Sequence, residues 1–80
     1  MLESHEGWDG LLIASRTYSI PTVLAAAMEL GIPILVEKPV AMNLADCEAM
    51  LAAAKQRGIR TCVCFEARFC NQFQVTRALL

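Results

Sequence analysis

Short apolar runs alternate with segments of helical periodicity along the chain. The apolar runs predict strands over 11–14, 32–36 and 59–65, with lengths typical of buried strands. The segments between them repeat apolar residues every three or four positions and predict helices over 22–30 and 44–57, with another after the third strand. This β-α-β-α-β-α order predicts an α/β fold, a three-layer parallel sheet with right-handed crossovers.

Local signals mark the ends of the predicted helices. Pro21 is compatible with a first helical turn, and Gly31 follows the last periodic residue as a C-terminal cap. Asn43 and Asp46 have the spacing of an N-cap and its reciprocal partner, and Gly58 ends that second helix. These signals support separate helices joined to the strands by short loops.

The clearest candidate for chemistry lies where the second strand ends. Val36 is followed directly by Glu37, Lys38 and Pro39. Pro39 cannot donate to a sheet ladder and therefore ends the strand. The carboxyl ends of strands form the edge where open α/β sheets bind ligands. From the pattern alone, a functional ammonium and a solvated ion pair remain alternatives.

Composition limits the functional classes. The 80 residues form at most one small domain, and their 56% apolar share is typical of a piece of a larger core. A net charge of −1 without a basic stripe argues against nucleic acid, and the apolar runs are too short for a membrane span. The four cysteines show no metal-ligand spacing, so we expect reduced thiols in a cytoplasmic protein and no metal site.

Four stretches of the sequence together resemble one enzyme family. They are Asp9-Gly10-Leu11-Leu12-Ile13-Ala14-Ser15, Glu29-Leu30-Gly31-Ile32-Pro33-Ile34, Val36-Glu37-Lys38-Pro39-Val40-Ala41 and Cys64-Phe65-Glu66-Ala67-Arg68-Phe69. The chain resembles the Gfo/Idh/MocA oxidoreductases. The resemblance implies a Rossmann-like dinucleotide-binding domain, followed in these enzymes by a second α/β domain. It also implies hydride transfer between NAD or NADP and a sugar, polyol or related hydroxyl compound.

The same resemblance assigns roles to residues of the strand-end motif. Lys38 matches a catalytic lysine that contacts the nicotinamide ribose and the reacting hydroxyl, where an ammonium stabilises an alkoxide or assists proton transfer. Glu37 matches an acid that orients this lysine or binds the cofactor ribose. Pro39 matches a proline that follows a cis peptide bond.

Outside this motif, the resemblance places further residues at the cofactor. Ser15 and Arg16 lie in the loop that passes the cofactor, where the family often has Thr and Pro, and Ile20 stands where His is frequent. Arg68 matches a family arginine, for which site formation and a structural salt bridge are both open. Cys64 and Glu66 replace a common Gly and Asn, so local contacts here are expected to differ.

The glycines lead to an expectation about activity. None of Gly7, Gly10, Gly31 and Gly58 can form a Gly-x-Gly-x-x-Gly turn. We therefore expect residues 1–80 to be the C-terminal half of a dinucleotide-binding domain, with weak or absent cofactor binding, no activity alone and a tendency to self-associate. The alternative is a non-catalytic nucleotide-binding or protein-interaction module.

Overall fold

Three parallel strands and three α-helices alternate in the computed structural model, which describes residues 2–80. In chain order the elements are β1 Leu11–Ile13, α1 Ile20–Met28, β2 Ile34–Glu37, α2 Leu44–Arg57, β3 Thr61–Cys64 and α3 Asn71–Leu79. Short 3-10 turns cover Leu2–Ser4, Thr17–Ser19 and Glu66–Phe69. The predicted α/β class and element order are confirmed.

The strands lie side by side in chain order, with β2 in the centre. Leu11 pairs with Ile34, and Ile34 pairs with Thr61 on its other side. At the far end of β2, Glu37 pairs with Cys64. Because all three strands run in the same direction, their carboxyl ends form one edge of the sheet.

The core lies between one face of the sheet and the helices α1 and α2. Its buried residues are Ile13, Ile20, Leu24, Ala27, Met28, Ile34, Val36 and Ala54. Leu24, Ala27 and Met28 recur at helical spacing, which confirms the buried face predicted for α1. Each large side chain buried here contributes about 1.5–3 kcal/mol relative to exposure.

The opposite face of the sheet is exposed. Side chains alternate along a strand, so Leu12, Leu35 and Cys62 point away from the packed helices. Leu12 is 64% exposed and Leu35 is 41% exposed. Residues 2–80 thus supply two of the three predicted layers, the sheet and one layer of helices.

Apart from those of α2, element boundaries differ from the predicted ones by one or two residues. The helix α1 begins at Ile20 rather than Thr22, because Ile20 is itself buried and Pro21 is accommodated in the first turn. The strand β2 extends to Glu37, which still pairs with Cys64. The strand β3 is shorter than predicted and covers only Thr61–Cys64.

The termini of α2 follow prediction, whereas its apolar face is only partly buried. Asn43 accepts a hydrogen bond from the Asp46 N–H at 2.8 Å, and Gly58 has a left-handed φ of 65°. Leu44 and Leu51 nevertheless remain exposed. They line an open apolar cleft of about 280 Å³ between α2 and the sheet, which residues 2–80 do not fill.

The main contact of helix α3 among the elements described is with the turn that precedes it, and Phe73 and Leu79 remain exposed on α3. All four cysteines are free thiols. None of the helices within residues 2–80 has both the length and the apolar character needed to cross a bilayer.

Candidate active site at the carboxyl edge of the sheet

The parallel sheet brings three separate parts of the sequence to one edge. Ser15 and Arg16 follow β1, Lys38 and Pro39 follow β2, and the turn Glu66–Phe69 follows β3. Glu37 is the last residue of β2 itself. The residues predicted to form the site therefore come from three strand ends, although the structure does not bring all of them into contact.

Lys38 is held at both its backbone and its side chain. Its N–H donates to Glu37 Oε2 at 2.9 Å, and its Nζ lies 3.3 Å from Glu66 Oε1. The Lys38–Pro39 peptide bond is cis, as the resemblance implies. The Lys38 side chain is 45% exposed, so its ammonium remains accessible to a ligand.

The contact of Glu66 with Lys38 was missed by sequence reasoning. The backbone N–H of Glu66, followed by the Lys38 ammonium, lowers the pKa of its carboxyl below the ordinary value of 4.5. It is therefore a carboxylate at neutral pH. The sequence did show an acid, Glu66, two residues after β3. Only the register between β2 and β3 shows that its side chain meets that of Lys38.

A second cluster at this edge combines two carboxylates and a thiol. The nearest ligand atoms of Glu37, Cys64 and Glu66 all lie within 4.8 Å of one another. Oxygen and sulfur donors at such distances can share a divalent cation. A cation would compete here with the Lys38 ammonium for Glu66.

Ser15 offers an unused hydroxyl at the end of β1. Its Oγ is buried and has no hydrogen-bond partner within the described part of the chain. A buried hydroxyl without a partner is costly, and a bound polar ligand relieves this cost. This orphan hydroxyl fits the position that the resemblance gives Ser15 beside a dinucleotide.

Arg16 and Ile20 have different environments in the same loop. The Arg16 carbonyl accepts hydrogen bonds from the Ser19 N–H at 2.9 Å and the Ser19 Oγ at 2.7 Å, while its side chain is exposed. Ile20 is 1% exposed and packs in the core. The residue at the family's frequent histidine position therefore cannot reach a ligand.

Arg68 lies next to an aromatic ring. Its guanidinium carbon is 5.8 Å from the centre of the Phe65 ring, within reach of a cation–π interaction. Its carbonyl accepts a hydrogen bond from Gln74 Nε2. The ion pairs found within residues 2–80, Lys38–Glu66 and Glu29–Arg57, do not include Arg68. The structural salt bridge considered for Arg68 is thus not formed within these residues.

The fold and this edge define an α/β protein of the nucleotide-binding class, with a parallel sheet and polar side chains where its strands end. A family model described as an oxidoreductase family with an NAD-binding Rossmann fold matches residues 1–65. The chain belongs to this Gfo/Idh/MocA family, which confirms the predicted resemblance.

Individual relatives agree with this assignment. The chain is 35% identical over 72 residues to the myo-inositol dehydrogenase Hyg17 of Streptomyces leeuwenhoekii, covering 90% of this chain and 22% of Hyg17. An NAD binding oxidoreductase from Klebsiella pneumoniae superposes with a TM-score of 0.76 at 27% identity, covering 89% of this chain and 19% of that one.

The Bordetella pertussis WlbA dehydrogenase, solved with NADH and UDP-GlcNAcA, has the same fold. It superposes with a TM-score of 0.86 at 24% identity, covering 98% of this chain and 24% of that one. The chain thus spans about a fifth to a quarter of the length of these three proteins.

Proposed function

We propose that these residues form the nicotinamide side of an NAD(P)-dependent oxidoreductase site, in which Lys38 acts on a sugar, polyol or related hydroxyl compound. The observation that carries this proposal is the position of Lys38 at the ligand edge of the sheet, with its backbone N–H bonded to Glu37 and its ammonium 3.3 Å from Glu66. The name of Hyg17, a myo-inositol dehydrogenase, supports a polyol as the substrate class.

The proposed cofactor contacts come from all three strand ends. The Ser15 hydroxyl donates to a polar group of the dinucleotide, and Arg16 and Arg68 supply positive charge for its phosphates. Glu37 accepts a hydrogen bond from a ribose hydroxyl, because its carboxylate has acceptor positions that the Lys38 N–H does not occupy. Pro39 holds the turn that presents Glu37 and Lys38.

Lys38 carries the proposed chemistry. When bound, NAD(P) supplies the acceptor or donor of the hydride. The Lys38 Nζ donates a hydrogen bond to the substrate oxygen and stabilises negative charge as that oxygen becomes an alkoxide. In carbonyl reduction Nζ passes a proton to this oxygen, and in alcohol oxidation an unprotonated Nζ accepts it.

A hybrid enzyme tests this proposal. The chain replaces the matching segment of Hyg17, and the rate of nicotinamide reduction is followed with myo-inositol. We expect Lys38→Ala to lower turnover by about 10²- to 10⁴-fold. Lys38→Arg does not restore it, because a guanidinium does not readily release a proton.

Lys55 provides the matched control for this experiment. It is the other lysine of the chain and lies exposed on α2. Lys55→Ala should leave turnover within a few-fold of the hybrid enzyme. Lys38→Ala activity at the level of the Lys55 variant would mean that Lys38 is only a surface charge.

A non-catalytic interaction module is the second candidate, and one observation favours it. The uncovered sheet face exposes Leu12 and Leu35 side by side on neighbouring strands. Apolar surface of this kind marks sites where proteins associate.

A further inference from the structure

We propose that Glu66 is a positioning residue for Lys38, and that its carboxylate fixes the ammonium at the ligand edge of the sheet. This inference rests on the proposed function, because positioning matters only if Lys38 acts on a ligand. The residue belongs to a different strand end from Lys38, so the contact joins two elements of the site.

The register of β2 and β3 brings the two side chains together. Glu37 pairs with Cys64, so Lys38 is one residue beyond this pair and Glu66 is two residues beyond it. At the end of a parallel pair, such positions are neighbours across the strands. The 3.3 Å separation of Lys38 Nζ and Glu66 Oε1 follows from this arrangement.

The turn that contains Glu66 is itself well held. The Arg68 N–H donates to the Phe65 carbonyl at 3.2 Å, and the Cys70 N–H donates to the Ala67 carbonyl at 3.0 Å. The backbone of this turn is therefore held independently of Lys38, and it places the Glu66 carboxylate beside the Lys38 ammonium.

The carboxylates of Glu37 and Glu66 contact different parts of Lys38. Glu37 binds the Lys38 backbone N–H, whereas Glu66 binds the Lys38 ammonium. An ammonium has three N–H donors, so pairing with Glu66 leaves two for a ligand. Glu66 thereby sets the direction in which the remaining donors point, toward a hydroxyl or a ribose oxygen.

Chemical labelling of the intact 80-residue chain tests the contact without cofactor or turnover. The chain is treated with limiting acetic anhydride, and mass spectrometry gives the ratio of acetylation at Lys38 to that at Lys55. An exposed ion pair hinders Lys38 acetylation modestly, so Glu66→Gln should raise the ratio by about 1.5- to 5-fold. Glu48→Gln, with the same charge change on α2, should leave it at the parental value.

The salt dependence of the parental ratio is a readout that needs no variant to fold. The parental ratio should rise with ionic strength as the ion pair is screened, and the Glu66→Gln ratio should not. Glu66→Asp, which keeps the charge, should return the ratio part of the way to the parental value. Retained circular dichroism separates these effects from unfolding.

The outcomes distinguish this inference from the proposed function. A Glu66→Gln ratio equal to that of the parent, or a parental ratio that does not change with salt, overturns the positioning role whatever the hybrid enzyme does. Full activity of Lys38→Ala in the hybrid overturns the proposed function even when the labelling ratio changes as expected.

Discussion

Arg57 Nη2 lies 2.6 Å from Glu29 Oε1 and joins the last residue of α2 to the residue that caps α1. Arg57 lowers the pKa of Glu29 below the ordinary 4.5 through both its hydrogen bond and its charge. In the Lys38–Glu66 pair, by contrast, the largest cause of the lowered Glu66 pKa is the backbone N–H of Glu66 itself.

The two ion pairs should respond differently when their basic partners are removed. We expect Arg57→Met to return the Glu29 pKa nearly to 4.5, because Arg57 supplies both lowering interactions. Lys38→Met should raise the Glu66 pKa only in part, because the backbone hydrogen bond remains. NMR titration of the carboxyl carbons of Glu29 and Glu66 gives these pKa values. If both pKa values returned equally close to 4.5, the different causes given for the two shifts would be wrong.

The sign of the pH effect follows from these shifts. Folding lowers the pKa of both carboxyls, so their contribution to stability is fully present above the unfolded value near 4.5. It is lost as pH falls through the lower folded-state values. In the single variants Arg57→Met and Lys38→Met, the acid-induced loss of stability should therefore be smaller than in the parent.

The two faces of the sheet should tolerate truncation very differently. Leu24 is 2% exposed and Leu12 is 64% exposed. Leu24→Ala should lower the free energy of unfolding by about 2–5 kcal/mol, whereas Leu12→Ala should change it by about 0.5 kcal/mol or less. Urea unfolding of dilute samples measures both, and similar losses for the two variants would show that the outer face is packed in solution.

The exposed face should also govern self-association. We expect the parent chain to form larger species as its concentration rises, because association would remove the exposed side chains of Leu12 and Leu35 from water. The double variant Leu12→Ser, Leu35→Ser should shift this equilibrium toward monomer in sedimentation velocity. The double variant Leu44→Ser, Leu51→Ser, with the same two changes in the cleft beside α2, serves as the control. A parent that stays monomeric at every concentration would refute this expectation.

Cofactor affinity provides a separate prediction. A dinucleotide pyrophosphate is normally bound by a glycine-rich turn at a helix N-terminus, and the four glycines of this chain are not spaced for one. We expect the 80-residue chain to bind NADH or NADPH no tighter than about 1 mM, or roughly 4 kcal/mol. Ligand-observed NMR suits this weak range. Micromolar binding by calorimetry would show that another part of the chain holds the phosphates.

The sequence pattern predicted those features that depend on neighbouring residues. The alternation of apolar runs and helical periods identified the strands, and Asn43 with Gly58 marked the ends of α2. The order of elements then implied that Ser15 and Lys38 lie at the same sheet edge. All of these inferences use spacing within one element or the direction of successive strands.

Features that depend on contacts between distant segments were not predictable in this way. The Lys38–Glu66 contact requires the register of two strands, which hydrophobic spacing does not specify when both faces of a strand are apolar. The exposure of Leu44 likewise depends on how α2 sits over the sheet. Local periodicity assigned it to an apolar face but could not show whether that face was covered.

The buried residues of β2 have a consequence for the charged edge. Ile34 and Val36 point into the core, and Glu37 consequently points to the other face. A slip of one residue between β2 and β3 would put Glu37 among the core side chains and move Lys38 away from Glu66. The penalty for burying that carboxylate opposes the slip. The burial of Ile34 and Val36 therefore fixes the strand register, and the register in turn fixes the distance between the charges of Lys38 and Glu66.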